Sequence, residues 1–399
     1  MEKISYAKTV YGEKEINAVV KCLKESTQMG NYSRKFEKKI ANLFDKKESL
    51  YVNSGSSALY IGIESFDFPE NSEVITPALT FGTTVACLIK NKLIPVFVDV
   101  EPLSYCIDVS KIEKEINENT VAILAPNLLG NLCDWPKIRQ IADRFDLKVI
   151  EDSADTLGAT IEGRSSGYFS DMSITSFYGS HIINCAGNGG ALALNDKKII
   201  DKAKLLRSWG RSSSLFDEKS EAIENRFDVN LDGIEYDAKF VFETPGYNLE
   251  GSEIGAAFGL VQLEKLSDNF KTRQNNLKIQ CEFFNKYKKY FSNPEEAQNV
   301  NTAWLAFPLL ISKNAPFTRK ELQIYLEKKD IQTRVVFTGN ILRQPMMKNQ
   351  KFKTSKDGFV NSDAVMERGI LLPLHHGLTK SMMDRLHDTI DQFIFGFKK

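Results

Sequence analysis

The segment 53–59, NSGSSAL, follows an apolar run and opens an apparent helix. Small residues at such a point let backbone N–H groups and the hydroxyls of Ser56 and Ser57 converge on an anion at the positive end of the helix. The same residue types also cap helices in the absence of any ligand. The segment alone therefore predicts either an anion site or a helix cap.

A group of acidic residues, EDSAD at 151–155, comes directly after the apolar run LKVI. A carboxylate at the end of a strand is what a pyridinium nitrogen needs, because an adjacent negative charge favours the protonated ring. The capping of a following helix is the structural alternative for these residues.

The segment 176–190, SFYGSHIINCAGNGG, places a histidine five residues after an apparent strand end and before a glycine-rich turn. A lone histidine is more often structural than catalytic. His181 is nevertheless one of only four histidines in the chain, and it falls where a sheet of this kind presents ligands. It is therefore a candidate for moving protons.

The elements that would position these residues alternate regularly between 48 and 200. Seven short apolar runs are separated by helical stretches: SLYVNS, EVITPA, IPVFVDV, VAILAP, LKVIED, MSITSFY and GALALN. This rhythm predicts a parallel sheet covered by helices. Ligands gather at the carboxyl ends of the strands in open α/β sheets, so the chemistry is expected there.

The rest of the chain predicts a second, smaller lobe. The polar stretch 212–237 indicates a long loop or a partly ordered insertion, and helical periodicity returns from 251 towards 290. We expect residues 1–260 to form a large cofactor-binding domain with its N-terminal segment. Residues 261–399 should supply a connecting helix and a small α+β domain.

Composition limits the classes of function. The 399 residues are 42% hydrophobic and 26% charged, and the basic and acidic side chains number 52 each, which disfavours binding to nucleic acid. No segment is apolar enough to span a membrane or to act as a signal peptide, so a cytoplasmic protein is expected. The six cysteines lack CxxC or CxC spacing, which argues against a disulfide framework and against a metal site.

Several motifs in register give the sequence a wider resemblance. The three segments above, together with NYSRKFEKKIANLF, TPALTFGTT, GYNLEGSEIGAAFGLVQLEKL and IQTRVVFTGNILRQP, resemble the DegT/DnrJ/EryC1/StrS family of nucleotide-sugar aminotransferases over nearly the whole chain. The resemblance implies the aspartate aminotransferase fold, which is fold type I of the enzymes that depend on pyridoxal phosphate. That fold is an α/β large domain with a mixed, mostly parallel sheet, followed by a small α+β domain.

The resemblance also implies roles for particular residues. The cofactor phosphate would be held by Ser56, Ser57 and Ser176, and Asn248 would reach the phosphate of a neighbouring subunit in a homodimer with shared active sites. Phe81 would stack on the pyridine ring, Asp152 would pair with the ring nitrogen, and Asp155 would lie close to the ring hydroxyl. On the substrate side, the resemblance implies contacts from Arg334 and Asn340 in the small lobe.

His181 departs from the ordinary family pattern, in which this position is the lysine that links covalently to the cofactor. An imidazole cannot form that link, but its unperturbed pKa near 6.5 suits it to take a proton from the C4′ carbon of pyridoxamine phosphate. A histidine here resembles the branch of nucleotide-linked 4-keto-6-deoxyhexose 3-dehydratases, of the CDP and GDP types. The resemblance therefore implies removal of the C3 hydroxyl from a nucleotide-diphosphate sugar, as in the deoxysugar pathways of lipopolysaccharide O-antigens.

A second departure concerns an iron–sulfur cluster. CDP-type dehydratases of this branch usually carry cluster cysteines in the loop after an RSWGR-like segment, and here that loop, SSSLFDEKSEAIENRF, has no cysteine. No thiolate-bound cluster is expected. Regeneration of pyridoxamine phosphate would instead need an amino donor such as glutamate. A third departure is Glu250, where relatives often show a basic residue.

Two alternatives remain open. The first is a sugar aminotransferase with another proton shuttle, whose product would gain an amine instead of losing water. The second is a non-catalytic relative that binds a nucleotide sugar. The phosphate, aromatic and ring-nitrogen positions around the missing lysine argue against the second.

Overall fold

The computed structural model describes residues 2–216, 226–227 and 229–397. Sixteen strands occur in this part of the chain: β1 Glu48–Val52, β2 Glu73–Pro77, β3 Ile94–Val98, β4 Thr120–Pro126, β5 Lys148–Ser153, β6 Thr160–Ile161, β7 Arg164–Ser165, β8 Met172–Ser176, β9 Gly190–Leu194, β10 Val229–Leu231, β11 Ile234–Tyr236, β12 Phe291–Ser292, β13 Val300–Asn301, β14 Phe307–Ile311, β15 Lys353–Thr354 and β16 Gly369–Leu372. The α-helices of the same residues are α1 Glu13–Glu25, α2 Asn31–Leu43, α3 Gly55–Ser65, α4 Gly82–Lys90, α5 Trp135–Arg144, α6 Lys197–Arg207, α7 Glu253–Glu264, α8 Leu266–Phe284, α9 Arg319–Glu327, α10 Val360–Arg368 and α11 Lys380–Phe395.

The central sheet has eight strands in the order β1-β9-β8-β5-β4-β2-β3-β15. Neighbouring strands are parallel except where β9 pairs antiparallel with β1 and β8. All seven predicted apolar runs are strands of this sheet, which confirms the predicted α/β class with a mixed, mostly parallel sheet. The carboxyl ends of β4, β5 and β8 therefore meet at one edge.

Nearly every residue of the central sheet is buried because helices cover both of its faces. On one face, side chains of α3 and α6 pack against β1, β8 and β9 in one buried cluster that includes Ile61, Leu192 and Ala203. On the other face, Trp135 and Ile138 of α5 pack against β4 and β5. The strands are buried on both sides, which is why they read as continuous apolar runs instead of alternating patterns.

The small lobe is built on a three-stranded antiparallel sheet, β12-β14-β16, covered by α9, α10 and α11. Its apolar core continues into the large lobe through Leu79 and Leu128, and β15 extends the edge of the large sheet beside β3. Residue 260, the predicted domain boundary, lies inside α7. The predicted connecting helix is two helices, α7 and α8, because the chain turns at Lys265.

The polar stretch 212–237 is only partly a loop. Residues 217–225 and 228 lie outside the described residues, but β10 and β11 form a two-stranded antiparallel hairpin within the stretch. The hairpin closes through Asp232 and Gly233, both of which have positive φ angles. The strands are exposed, but Val229, Leu231, Ile234 and Tyr236 alternate with polar residues around an Asp-Gly turn, a hairpin signal that the prediction of a loop overlooked.

Glu253 connects α7 to α2. Its side chain is buried and accepts hydrogen bonds from the backbone N–H groups of Gly30, Tyr32 and Ser33 and from the Ser33 hydroxyl, at 2.6–3.1 Å. A carboxylate at this point satisfies the unpaired donors and the positive dipole at the start of α2. One side chain thus fixes the packing of two helices of the large lobe.

Glu253→Gln should lower the free energy of unfolding by about 1–3 kcal/mol, because the neutral amide has one acceptor oxygen for four buried donors. Urea unfolding measures this change. Glu264→Gln is the matched control, because Glu264 is exposed on the same helix, and it should leave the unfolding midpoint unchanged. Equal midpoints for the two variants would contradict the role given to Glu253.

Candidate active site

A cavity of about 390 Å³ opens at the carboxyl ends of the parallel strands. Six of the residues singled out from the sequence line it: Ser56, Phe81, Asp152, Asp155, Ser176 and His181. They come from four separate segments of the chain. The parallel strands bring these segments together at one edge, as expected for this sheet.

His181 lies in the connection between β8 and β9. The connection leaves the sheet at Ser176 and returns at Gly190, and these two residues face each other in the antiparallel pair. The Nδ1 atom of His181 is 3.1 Å from the carbonyl oxygen of Ser176. Because a carbonyl oxygen only accepts, Nδ1 carries the hydrogen in the neutral ring, and the lone pair is then on Nε2.

The imidazole of His181 is held in its neutral form. Burial lowers its pKa to about 4, and the positive charge of Arg273 lowers it further, against the opposing effect of the Ser176 and Ala154 carbonyls. The unperturbed value near 6.5 expected from the sequence therefore does not apply. At neutral pH this side chain can accept a proton, and once protonated it would be a stronger acid than an ordinary imidazolium.

Asp152 is a buried carboxylate without a cationic partner among the described residues. It accepts a hydrogen bond from the Thr84 hydroxyl at 2.7 Å and from the Ala154 N–H at 3.1 Å, and it is 4% exposed. Burial raises its pKa, which the two hydrogen bonds oppose. An isolated buried charge is costly, so this position favours a bound cation.

Asp155 lines the same cavity, and one of its oxygens accepts a hydrogen bond from the Leu129 N–H at 2.9 Å. Burial raises its pKa to about 7, the negative charge of Asp152 adds to the rise, and the hydrogen bond opposes it. The two neighbouring acids therefore differ: a ligand cation would ionise Asp152, whereas Asp155 exchanges its proton near neutral pH.

The start of α3 forms the anion-binding corner of the cavity. Ser54 caps the helix by accepting a hydrogen bond from the Ser57 N–H at 3.1 Å. A Cβ atom on Gly55 would lie 2.8 Å from the Cβ of Ser176, so only glycine allows β8 to approach the helix end this closely. The free N–H groups of the first turn, the Ser56 hydroxyl and the Ser176 hydroxyl thus share one corner.

Two of the three predicted phosphate serines, Ser56 and Ser57, differ in position. Ser56 lines the cavity, whereas the Ser57 hydroxyl donates to Asn53 Oδ1 at 2.6 Å and lies 2.9 Å from the Ser54 hydroxyl. Ser57 is not among the residues that line the cavity. Its predicted contact with a phosphate stays a prediction.

Three other predicted residues lie outside the cavity wall. Asn248 is exposed and bridges to Ser208, and Arg334 is exposed in the small lobe. Asn340 is 3% exposed; its amide donates to Asp363 at 2.8 Å and accepts from the Leu342 N–H at 3.1 Å, so its polar atoms are used within the chain. The predicted substrate and partner contacts of these residues stay predictions.

Sequence reasoning missed several polar and aromatic residues of the cavity wall. They include Tyr6, Thr84, Asn127, Tyr178 and Phe337. Thr84 could have been suspected, because it stands one helical turn after Phe81 at the start of α4. Tyr6 carried no local signal, because it reaches the site from an N-terminal segment far away in sequence.

The described residues contain neither a candidate metal cluster nor a membrane-spanning helix. No group of three or more His, Cys, Asp or Glu side chains in this part of the chain could hold a metal ion. Within the same residues, no helix has the length and apolar character needed to cross a bilayer.

Comparison with known proteins gives a consistent family result. A model of the DegT/DnrJ/EryC1/StrS aminotransferase family matches residues 10–391. Lipopolysaccharide biosynthesis protein RfbH of Salmonella typhimurium is 32% identical over 96% of this chain and 90% of its own length. The dTDP-4-dehydro-2,6-dideoxy-D-glucose 3-dehydratase of Saccharopolyspora spinosa is 33% identical over 92% of this chain and 80% of its own.

A solved structure agrees with the fold. The Escherichia coli GDP-4-keto-6-deoxy-D-mannose-3-dehydratase with bound hydrated pyridoxal phosphate superposes with a TM-score of 0.87, at 26% identity over 97% of this chain and 100% of that one. The resemblance read from the sequence motifs is thereby confirmed, and so is the expected fold type.

Asp155 should make stability depend on pH. Its pKa is about 7 in the folded chain against an ordinary 3.8, so the folded state holds the proton more tightly and stability falls as pH rises from about 4 to 7. Asp155→Asn removes this loss and should gain on the order of 2 kcal/mol over the unchanged chain between pH 5 and pH 8. Thermal unfolding of the cofactor-free protein across that range measures the difference.

Asp388→Asn is the control for this pH series, because Asp388 is exposed on α11. Its unfolding temperature should follow that of the unchanged protein at every pH. If the Asp155→Asn curve also ran parallel to the unchanged curve, the raised pKa of Asp155 would be refuted.

Proposed function

This chain belongs to the DegT/DnrJ/EryC1/StrS aminotransferase family, and we propose that it removes the C3 hydroxyl of a nucleotide-linked 4-keto-6-deoxyhexose with pyridoxamine phosphate as cofactor. The observation that carries the proposal is His181. A neutral imidazole, fixed through Nδ1, lines the cavity at the position where ordinary members of the family have their lysine. Such a group can move protons, but it cannot hold the cofactor covalently.

The residues of the cavity fit pyridoxamine phosphate. The start of α3 with Ser56 and Ser176 would bind the phosphate, and Asp152, which has no cation of its own, would pair with the protonated ring nitrogen. Phe81 lines the cavity with its ring 53% exposed, free to stack on an aromatic ligand. These three sets of contacts would hold the cofactor in place of the missing covalent bond to a lysine.

The bound cofactor supplies an amine that condenses with the sugar ketone and a conjugated ring that accepts electrons from C4′. His181 Nε2 would take the proton from C4′, since Nδ1 is engaged with the Ser176 carbonyl and the neutral form of the imidazole predominates at pH 7. The negative charge of Asp152 would stabilise the protonated ring nitrogen and so favour this proton transfer.

The same histidine can assist the departure of the C3 hydroxyl. Once protonated, His181 is disfavoured by burial and by the nearby charge of Arg273, so it gives up its proton readily. A hydroxyl is a poor leaving group unless it is protonated, and the imidazolium can supply that proton. One residue would thus act as base and then as acid.

The proposed cycle has further requirements. Loss of the C3 hydroxyl would be balanced by oxidation of the cofactor from its amine to its aldehyde form, and hydrolysis would release the nitrogen from the sugar as ammonia. An amino donor such as glutamate would then restore the amine form of the cofactor after each turnover. Asn248 would reach the neighbouring active site in a homodimer, and Arg334 and Asn340 would serve the substrate side. The protein would work in the cytoplasm, where nucleotide sugars are made, and its product would feed lipopolysaccharide synthesis. No iron–sulfur cluster is part of this scheme.

Sugar amination is the second candidate function, and it is favoured because the family is one of aminotransferases. It would require a different group to shuttle protons, because an imidazole does not replace the amine of lysine. The two functions differ in product mass, since amination exchanges the ketone oxygen for an amine, whereas deoxygenation replaces the C3 hydroxyl by hydrogen.

Wild-type protein incubated with pyridoxamine phosphate, glutamate and CDP-, GDP-, UDP- and dTDP-linked 4-keto-6-deoxyhexoses should yield a 3-deoxy-4-keto sugar, detected by mass spectrometry. His181→Asn should lower the rate on the order of 10²–10⁴-fold, because the amide cannot take the proton from C4′. His181→Lys restores an amine at this position and should also lose dehydration while still binding the cofactor. Full dehydration by His181→Asn, or an amino sugar from the unchanged protein, would refute the proposal.

Asp152→Asn should weaken the binding of pyridoxamine phosphate at least tenfold, because it removes one partner of a buried charge pair. Titration of the cofactor's absorption measures the affinity. Thr84→Val is the matched control: it removes a hydrogen bond to Asp152 but leaves the charge, so its loss should be smaller. A larger loss for Thr84→Val than for Asp152→Asn would mean that the carboxylate does not meet the ring nitrogen.

A further inference from the structure

The N-terminal segment 4–9 crosses from the small lobe to the loop that carries His181. Ile4 pairs with the small lobe through hydrogen bonds of 2.9 Å to Asp330 and Gln332. At the other end, the Thr9 hydroxyl donates to the carbonyl of Gly179, two residues before His181. The segment is therefore fixed at both ends and lies across the cavity between them.

Tyr6 is the residue of this segment that lines the cavity. Its backbone N–H donates to Gln332 Oε1 at 3.1 Å, and the guanidinium carbon of Arg334 lies 5.5 Å from its ring centroid. These contacts fix the backbone and flank the ring, but the phenol oxygen makes no hydrogen bond among the described residues. Because Tyr6 lines the cavity and the protein does not use its phenol oxygen, that oxygen is available to a ligand in the cavity.

The wall of the cavity to which Tyr6 belongs points to the identity of that ligand. The groups that fit the cofactor come from α3, α4, β5 and β8, on the side of the sheet. Tyr6, Leu305 and Phe337 come instead from the N-terminal segment and the small lobe. A substrate that reacts beside His181 must enter between these two walls.

The position of Tyr6 in the cavity favours a contact with the reacting sugar over a contact with the nucleotide. Burial raises the pKa of the phenol, and the negative charge of Asp155 raises it further, which puts the side chain close to the acid expected beside the cofactor ring. The phenol stays protonated at neutral pH and can donate a hydrogen bond. An uncharged donor beside an aromatic ring suits a hexose oxygen better than a diphosphate.

We propose that Tyr6 is a specificity residue that binds the hexose of the nucleotide-sugar substrate through its free hydroxyl. The inference rests on the proposed function for the class of substrate, and it adds the N-terminal segment to the substrate site. Because the segment is tied to Gln332 and Arg334, the hexose contact and the small lobe would move together.

Tyr6→Phe tests the assignment, because it removes the hydroxyl and keeps the ring. The probes are the CDP-, GDP-, UDP- and dTDP-linked 4-keto-6-deoxyhexoses and the four matching nucleoside diphosphates. Binding is measured by calorimetry on protein loaded with pyridoxal phosphate, whose aldehyde does not condense with a ketone. Tyr6→Phe should weaken the sugar nucleotide about three- to tenfold, the value of one hydrogen bond, and leave the nucleoside diphosphate unchanged.

Tyr11→Phe is the matched control. Tyr11 lies shortly after the same segment, is 55% exposed and packs against Phe258 at 5.5 Å between ring centroids. Its affinities for both probes should equal those of the unchanged protein. The rate at which glutamate converts the pyridoxal form to the pyridoxamine form should be the same in all three proteins.

The outcomes separate this inference from the proposed reaction. Equal affinity of Tyr6→Phe and unchanged protein for the sugar nucleotide would overturn the role of Tyr6, whatever the product. Equal weakening of sugar nucleotide and nucleoside diphosphate would assign Tyr6 to the nucleotide, and a slower glutamate step alone would assign it to the amino donor; either result overturns the hexose contact. So would a lack of binding of all four sugar nucleotides by the unchanged protein. An amino-sugar product with a selective loss in Tyr6→Phe would overturn the reaction and leave the contact in place.

Discussion

The site depends on a negative charge that the protein buries and does not neutralise by itself. Asp152 ends a central parallel strand, receives two hydrogen bonds from Thr84 and Ala154, and has no cation within ion-pair distance among the described residues. Uncompensated burial of this kind costs several kcal/mol, which a fold tolerates where a ligand supplies the missing charge. A protonated pyridine ring would do so, and the anion-binding corner at α3 would hold the opposite end of the same molecule.

Burial acts in opposite directions on the charge of the histidine and of the acids in the site. Burial moves the pKa of His181 down and that of Asp155 up, because a low dielectric disfavours whichever form is charged. The result is a neutral base beside an acid that exchanges near pH 7. With Asp152 ionised by the ligand, the cavity holds one fixed negative charge and two groups able to exchange protons.

The sequence predicts the parts of this site that are local. Ser56, Asp152, Ser176 and His181 each follow a short apolar run, and parallel strands place the ends of such runs at one edge, so their convergence follows from the pattern. The hydroxyl of Ser57 instead contacts Asn53 and Ser54, through hydrogen bonds that no pattern encodes. Tyr6 arrives through contacts with residues more than 300 positions away, and Asn340 is drawn into a cap beside Asp363; both depend on tertiary packing that one sequence does not display.

The antiparallel strand β9 has a consequence for how this site could arise. Because β9 returns beside β8, the connection that carries His181 leaves and re-enters the sheet at the same edge, with Gly187 at φ +115° turning the chain. Substitutions in this connection require no change in the path of any helix or strand. The side chain at position 181 can therefore vary among relatives while the paths of β8 and β9 stay the same.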